Sequence, residues 1–149
     1  MRIRLDLQSR ALDNSELFAR AARLAIEACV MVNREHIRRF RTPALYSSGV
    51  RYRLEPDGTE DFTDLEVLLR RGWGDCAQLV AWRVAELREQ GEPAQVRLTW
   101  VTHNGRRMFH VQVRRADGRI EDPSVRLGMN SGDGRPADKH PVTGYKRKS

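Results

Sequence analysis

The periodicity of this chain changes at Gly91-Glu92-Pro93, and that change restricts the fold more than any other feature. Behind a short alternating start, apolar residues recur at the three-and-four spacing of helices; beyond it they alternate at the two-residue spacing of strands. Val96, Leu98 and Trp100 alternate with Arg97 and Thr99, Asn104-Gly105 marks a tight hairpin, and Phe109, Val111 and Val113 alternate with His110, Gln112 and Arg114. Asp117-Gly118 marks a second turn, and Arg119-Ile120-Glu121-Asp122 begins a third strand ended by Pro123. Helices followed by an antiparallel meander define an α+β class.

Upstream of the change, residues 2–7 alternate Arg2, Arg4 and Asp6 against Ile3, Leu5 and Leu7, the pattern of a half-buried strand. A helix is predicted over 14–40, capped by Asp13, with Glu16 three residues later. Leu17, Ala21, Leu24, Ala25, Ala28 and Val32 recur along it at helical spacing, and its alanines predict close packing on another element. Arg34, Arg38, Arg39 and Arg41 close it and complement the negative end of the helix dipole. Residues 41–61 carry turn signals at Thr42-Pro43, Ser47-Ser48-Gly49 and Pro56-Asp57-Gly58, with a short extended piece over 50–54. Tyr46 and Tyr52 in this stretch are either lining for a site or packed core. Asp61 to Leu69 reads as a short helix stopped by Gly72. The expected organisation is one domain over 1–129 and a Gly-, Pro- and charge-rich arm over 130–149.

The stretch Arg71-Gly72-Trp73-Gly74-Asp75-Cys76 leads into the apolar, alanine-rich run Ala77-Gln78-Leu79-Val80-Ala81-Trp82. Asp75 followed three residues later by Gln78 is a capping-box signature, so Cys76 falls in the first turn of a helix that closes at Gly91. Unpaired backbone N–H groups and the positive dipole end favour a thiolate there. A small buried residue at a helix start is the plainer alternative. Val80, Val84 and Leu87 share the side of Cys76, Ala77, Ala81 and Ala85 form a neighbouring stripe, and Arg83, Glu86 and Glu89 are expected to point outward.

A nucleophilic thiol needs a base and a group that orients it. His110 sits on the second strand of the meander and Asp122 at the end of the third. A strict two-residue loop at Asp117-Gly118 would turn Asp122 away from His110. A three-residue loop, Ala116-Asp117-Gly118, with Gly118 in the left-handed conformation sets Asp122 opposite Gln112 and diagonal to His110, and a glycine at the third position favours this register. The competing readings are a structural strand histidine and an Asp-Pro turn starter. His103 beside the hairpin, His140 in the arm and His36 at a helix end lack such partners in sequence.

The 149 residues carry a net charge of +7, a balance that suits nucleic acid, anionic lipid or acidic protein surfaces. No basic stripe interleaved with aromatics accompanies it, so nucleic acid ranks last among partners. No apolar run reaches the roughly 18 residues of a membrane span, and the polar start is no secretory signal, so a cytoplasmic protein without membrane contact is expected. Cys29 and Cys76 are expected as thiols, and neither metal nor cofactor is expected, because no Cys-x-x-Cys or close His/Cys pairing occurs.

Gly74-Asp75-Cys76 opening a helix, Phe109-His110-Val111 on a strand and Ile120-Glu121-Asp122-Pro123-Ser124 on the next resemble the transglutaminase-like branch of the papain-like cysteine hydrolases, over roughly residues 60–127. The resemblance implies a papain-like core and a Cys76 nucleophile, His110 base and Asp122 orienter, acting through a thioacyl-enzyme on peptide, isopeptide or cell-wall amides. Such families often carry acidic residues just after the cysteine, where Ala77-Gln78 stand here. Trp73, Gln78 and Tyr52 are candidates for oxyanion or substrate contacts, beside the backbone N–H of Cys76. The chain is also similar to small proteins of this type from tailed bacteriophages and prophages. That likeness implies a virion or lysis context, and the alternative is an adaptor that keeps the fold with an unused site and docks on neighbouring phage structural proteins through the 130–149 arm.

Overall fold

The helix that opens at Cys76 is buried almost all round. The computed structural model describes residues 1–5, 15–55, 60–103 and 105–129. In chain order these form β1 (Arg2–Leu5), α1 (Ser15–Arg39), a 3-10 turn (Leu45–Ser47), β2 (Arg51–Tyr52), β3 (Glu60–Thr63), α2 (Leu65–Arg71), β4 (Trp73–Gly74), α3 (Cys76–Glu89), β5 (Gln95–His103), β6 (Arg106–Arg114), β7 (Ile120–Glu121) and α4 (Pro123–Arg126). β1 pairs antiparallel with β3, β2 parallel with β4, and β5-β6-β7 form the antiparallel meander. The architecture is α+β. Among the described residues no helix is long and apolar enough to cross a membrane.

Two cores lie on either side of α3. Ala77, Val80, Ala81, Val84 and Ala85 pack with α1 and with Val96, Val111 and Val113 of the sheet. Leu79 and Trp82 face a second core built from Leu45, Val50, Tyr52, Leu65 and Leu68. A large apolar side chain contributes roughly 1.5–3 kcal/mol when fully buried. The weak helix propensity of Val80 and Val84 costs only a few tenths each, so packing decides. Small alanines bring α3 close to α1 and β6, as the alanine-rich sequence predicts.

Three expectations are corrected. Residues 60–63 are strand β3, not the start of a helix: Arg2 and Arg4 of β1 both donate to the buried Asp61 carboxylate, and Phe62 enters the first core. The helix begins only after Asp64, whose side chain accepts from Glu66 N and Val67 N, and ends at Gly72 with φ 84°. Glu86 does not point outward but is buried, accepting from Leu45 N at 2.6 Å and from Arg83 at 3.1 Å, because the stretch after α1 folds across this side of α3. α1 turns Phe18, Ala22, Ile26, Cys29 and Val30 to the core, while Leu24 stands 73% exposed. Asp13, residues 6–7, Asn104 and the 130–149 arm lie outside the described residues.

The meander takes the register of the three-residue loop. Val113 lies opposite Glu121 and Arg114 opposite Ile120; Arg115 N donates to Arg119 O at 2.8 Å, and Gly118 has φ 88°. β4 runs so close to α2 that a Cβ on Gly74 would fall 2.0 Å from Leu68 Cδ2 and 3.3 Å from Leu79 Cδ2. Both leucines are fully buried and have no space to retreat into. Gly74→Ala is expected to lose about 1–3 kcal/mol of stability by overpacking, read as a lower urea midpoint; an unchanged midpoint would show that this approach is not tight.

Candidate active site

Cys76 is the first residue of α3, directly behind its cap. Asp75 Oδ1 accepts from Gln78 N at 3.0 Å, and Gln78 Oε1 accepts from Asp75 N at 3.0 Å, completing the capping box expected from the sequence. The thiol is half-buried and packs against both cores, at the seam between them.

Gln78 does more than close the cap. Its Nε2 donates to Asp61 O at 2.7 Å and to Glu55 Oε1 at 3.1 Å, while Oε1 also accepts from Arg71 Nη2 at 2.5 Å. Both amide hydrogens are thereby engaged, which leaves the side chain a structural bracket joining α2, α3 and β3. Arg71 in turn donates from Nε to Trp73 O at 2.8 Å and lies 3.6 Å above the Trp73 ring. Arg53 approaches the same ring at 5.1 Å, so Trp73 is fixed among guanidinium groups three residues ahead of the cysteine. Tyr52 is 5% exposed and belongs to the second core.

On the meander, His110 and Asp122 meet. His110 Nε2 lies 2.7 Å from Asp122 Oδ2, which also accepts from Gln112 Nε2 at 3.1 Å. The other carboxylate oxygen caps α4, accepting from Ser124 N at 3.1 Å and Val125 N at 3.3 Å. Asp122 is thus both turn starter and histidine partner, two roles that the sequence presented as alternatives. Pro123 at the first helical position is the signal for the cap. Gln112 was marked only as the residue opposite Asp122; its amide is a third member of the group. Burial pushes the Asp122 carboxyl up, but hydrogen bonds from His110 and Gln112, and the His110 charge, bring it below its ordinary value. An ionised carboxylate only accepts, so His110 Nε2 donates to it, and Nδ1 is the ring nitrogen directed away from Asp122.

His110 is 6% exposed and pairs across the sheet with Thr99. Val111 and Val113 face the core shared with α3, so His110, Gln112 and Asp122 lie on the other face of the sheet. β7 pairs with β6 only at Val113 and Arg114, and α4, which follows Asp122, lies against α3. Beside His110, β6 therefore has no β7 partner. His36 instead bonds Thr42 Oγ1 at 3.0 Å through Nδ1. The side chain of His103 and all of His140 lie outside the described residues. Cys29 is buried between α1 and α3, where burial pushes its thiol up to about 12 and excludes it as a nucleophile at neutral pH.

The sign of the Asp122 shift gives a stability prediction. Its folded pKa lies below the unfolded value, so the stabilisation is present above about pH 4 and is lost as the pH falls through the folded value. Asp122→Asn is expected to cost about 1–3 kcal/mol at pH 7 and to flatten the acid limb of stability against pH in urea titrations. A variant with the wild-type acid limb would show that the carboxylate contributes nothing there. No protein family, curated protein or solved structure matches this chain.

Proposed function

We propose that the chain is a transglutaminase-like thiol hydrolase or acyltransferase with a papain-like core, in which Cys76 attacks, His110 is the base and Asp122 orients it. The observation that carries the reading is the 2.7 Å contact between His110 Nε2 and Asp122, on a strand against which the Cys76 helix lies. In this reading His110 Nδ1 removes the Cys76 proton and the thiolate attacks an amide carbonyl carbon. The tetrahedral oxyanion collapses, the C–N bond breaks, and the leaving amine takes the proton from the imidazolium. The thioester is then released to water or to an amine. The reading requires the Cys76 sulfur to reach His110 round the edge of β6.

Electrostatics assigns the largest task to His110. A helix N-terminus favours a thiolate by about 0.3–1 kcal/mol, and the neighbouring Asp75 carboxylate opposes it. In this reading the imidazolium, held in place by Asp122 and Gln112, is the counter-ion of the thiolate. With the Gln78 amide engaged, the backbone N–H of Cys76 and the Trp73 indole are the oxyanion donors of this reading. Peptide, isopeptide and cell-wall amides are the substrate classes of this reading, and the likeness of Arg71–Cys76 and Glu121–Ser124 to phage proteins supports a phage-encoded origin within it.

Labelling by a thiol-directed amide-mimic probe tests this. Wild type is expected to label on one sulfur at pH 7 and Cys76→Ala not at all. His110→Ala is expected to label about a hundredfold more slowly at pH 7 and to regain most of the rate near pH 10, where the thiol ionises unaided. Equal labelling of His110→Ala and wild type at pH 7 would remove His110 as base.

A further inference from the structure

Tyr46 stands outside the Cys76, His110 and Asp122 group yet touches the chain on both sides of Asp122. Its hydroxyl donates to Glu121 Oε2 at 2.6 Å, one residue before Asp122. Arg126 Cζ stands 3.7 Å over the centre of its ring, in the short helix that Asp122 caps. Burial and the Glu121 carboxylate push the Tyr46 phenol up, which keeps it a donor.

The turn that carries Tyr46 is itself fastened to the cysteine helix. Leu45 N donates to Glu86 of α3 at 2.6 Å. Arg83, three residues earlier on α3, donates to Glu86 at 3.1 Å and to Glu121 at 2.6 Å. Arg115, just past the end of β6, adds a donor to Glu121 at 2.7 Å. Glu121 therefore joins the 3-10 turn, α3 and the sheet beside Asp122. The segment needs such anchoring: β7 pairs with β6 through two residues, and α4 has only four. Regular structure this short is marginal by itself, so side chains decide where Asp122 sits.

We propose that Tyr46 is a positioning residue: by holding Glu121 and Arg126 it keeps Asp122, and through it the His110 ring, in a fixed place against the Cys76 helix. This role rests on Cys76 and His110 acting as proposed above. A displacement of about 1 Å can cost roughly a hundredfold in rate, so a clasp on both flanks of the orienter acts on the chemistry without touching substrate.

Probe labelling of the full chain tests this, with melting of each variant alongside. Tyr46→Phe keeps the ring and removes the hydroxyl. It is expected to label about tenfold more slowly than wild type at pH 7 and at the wild-type rate near pH 10, where the thiol ionises unaided. In a His110→Ala background the same substitution is expected to change nothing, because its effect passes through the imidazole. Arg126→Met alters an exposed side chain and is expected to slow labelling at pH 7 about threefold. Wild-type labelling at pH 7 by folded Tyr46→Phe, or by Arg126→Met, would overturn the proposal. So would a loss that persists in the His110→Ala background, since that means a general loosening of α3. Should Tyr46→Phe melt below the assay temperature, Arg126→Met decides. A His110→Ala variant that labels like wild type removes the base and the role of Tyr46 together, whereas slow His110→Ala beside fast Tyr46→Phe removes Tyr46 alone.

Discussion

A helix sealed on nearly every side cannot leave polar groups to water, and this constraint organises the molecule. At its start α3 meets it with one side chain: the Gln78 amide engages the Asp75 backbone, Arg71, Glu55 and the Asp61 carbonyl, so this end of the helix is tied to β3 and α2 at once. Glu86 performs the corresponding task near the other end, binding the Leu45 backbone and Arg83. An unmet buried donor or acceptor costs about 1–3 kcal/mol, comparable to the burial of a leucine, so these brackets matter as much as the apolar faces. They also fix where the chain enters α3, and hence the position of Cys76.

Much of this was legible because the signals were local. The capping box needs only residues three apart, and the meander register follows from the demand of a three-residue loop for glycine in its last place. His110 and Asp122 could be paired before any coordinates, since strand pairing converts residue count into distance. What failed to show were interactions made across the sequence. Asp61 to Leu69 reads as helix from its own residues, and it is pairing with β1, nearly sixty residues earlier, together with the arginines there, that draws Asp61 into a strand. Glu86 reads as a solvent residue until the segment after α1 covers it. On α1 the apolar residues were visible, but two overlapping stripes separated by less than a turn give no sequence signal for which one faces inward.

Asp122 shows how one side chain can serve fold and chemistry together. Its two oxygens are divided, one capping α4 and the other receiving His110 and Gln112. The helix start therefore limits rotation of the carboxylate, and the carboxylate limits rotation of the imidazole. Such a chain of restraint fixes the orientation of the ring. The same economy explains why a short Asp-Pro-Ser segment is enough to finish the sheet.

The two thiols of this protein differ in what can reach them. Cys29 is sealed between α1 and α3 with its proton held far above neutrality, so a reagent meets it only when those helices part. The rate of its alkylation in native buffer thus reports the opening of the α1–α3 layer. The molecule carries, without any added label, a gauge of its own breathing.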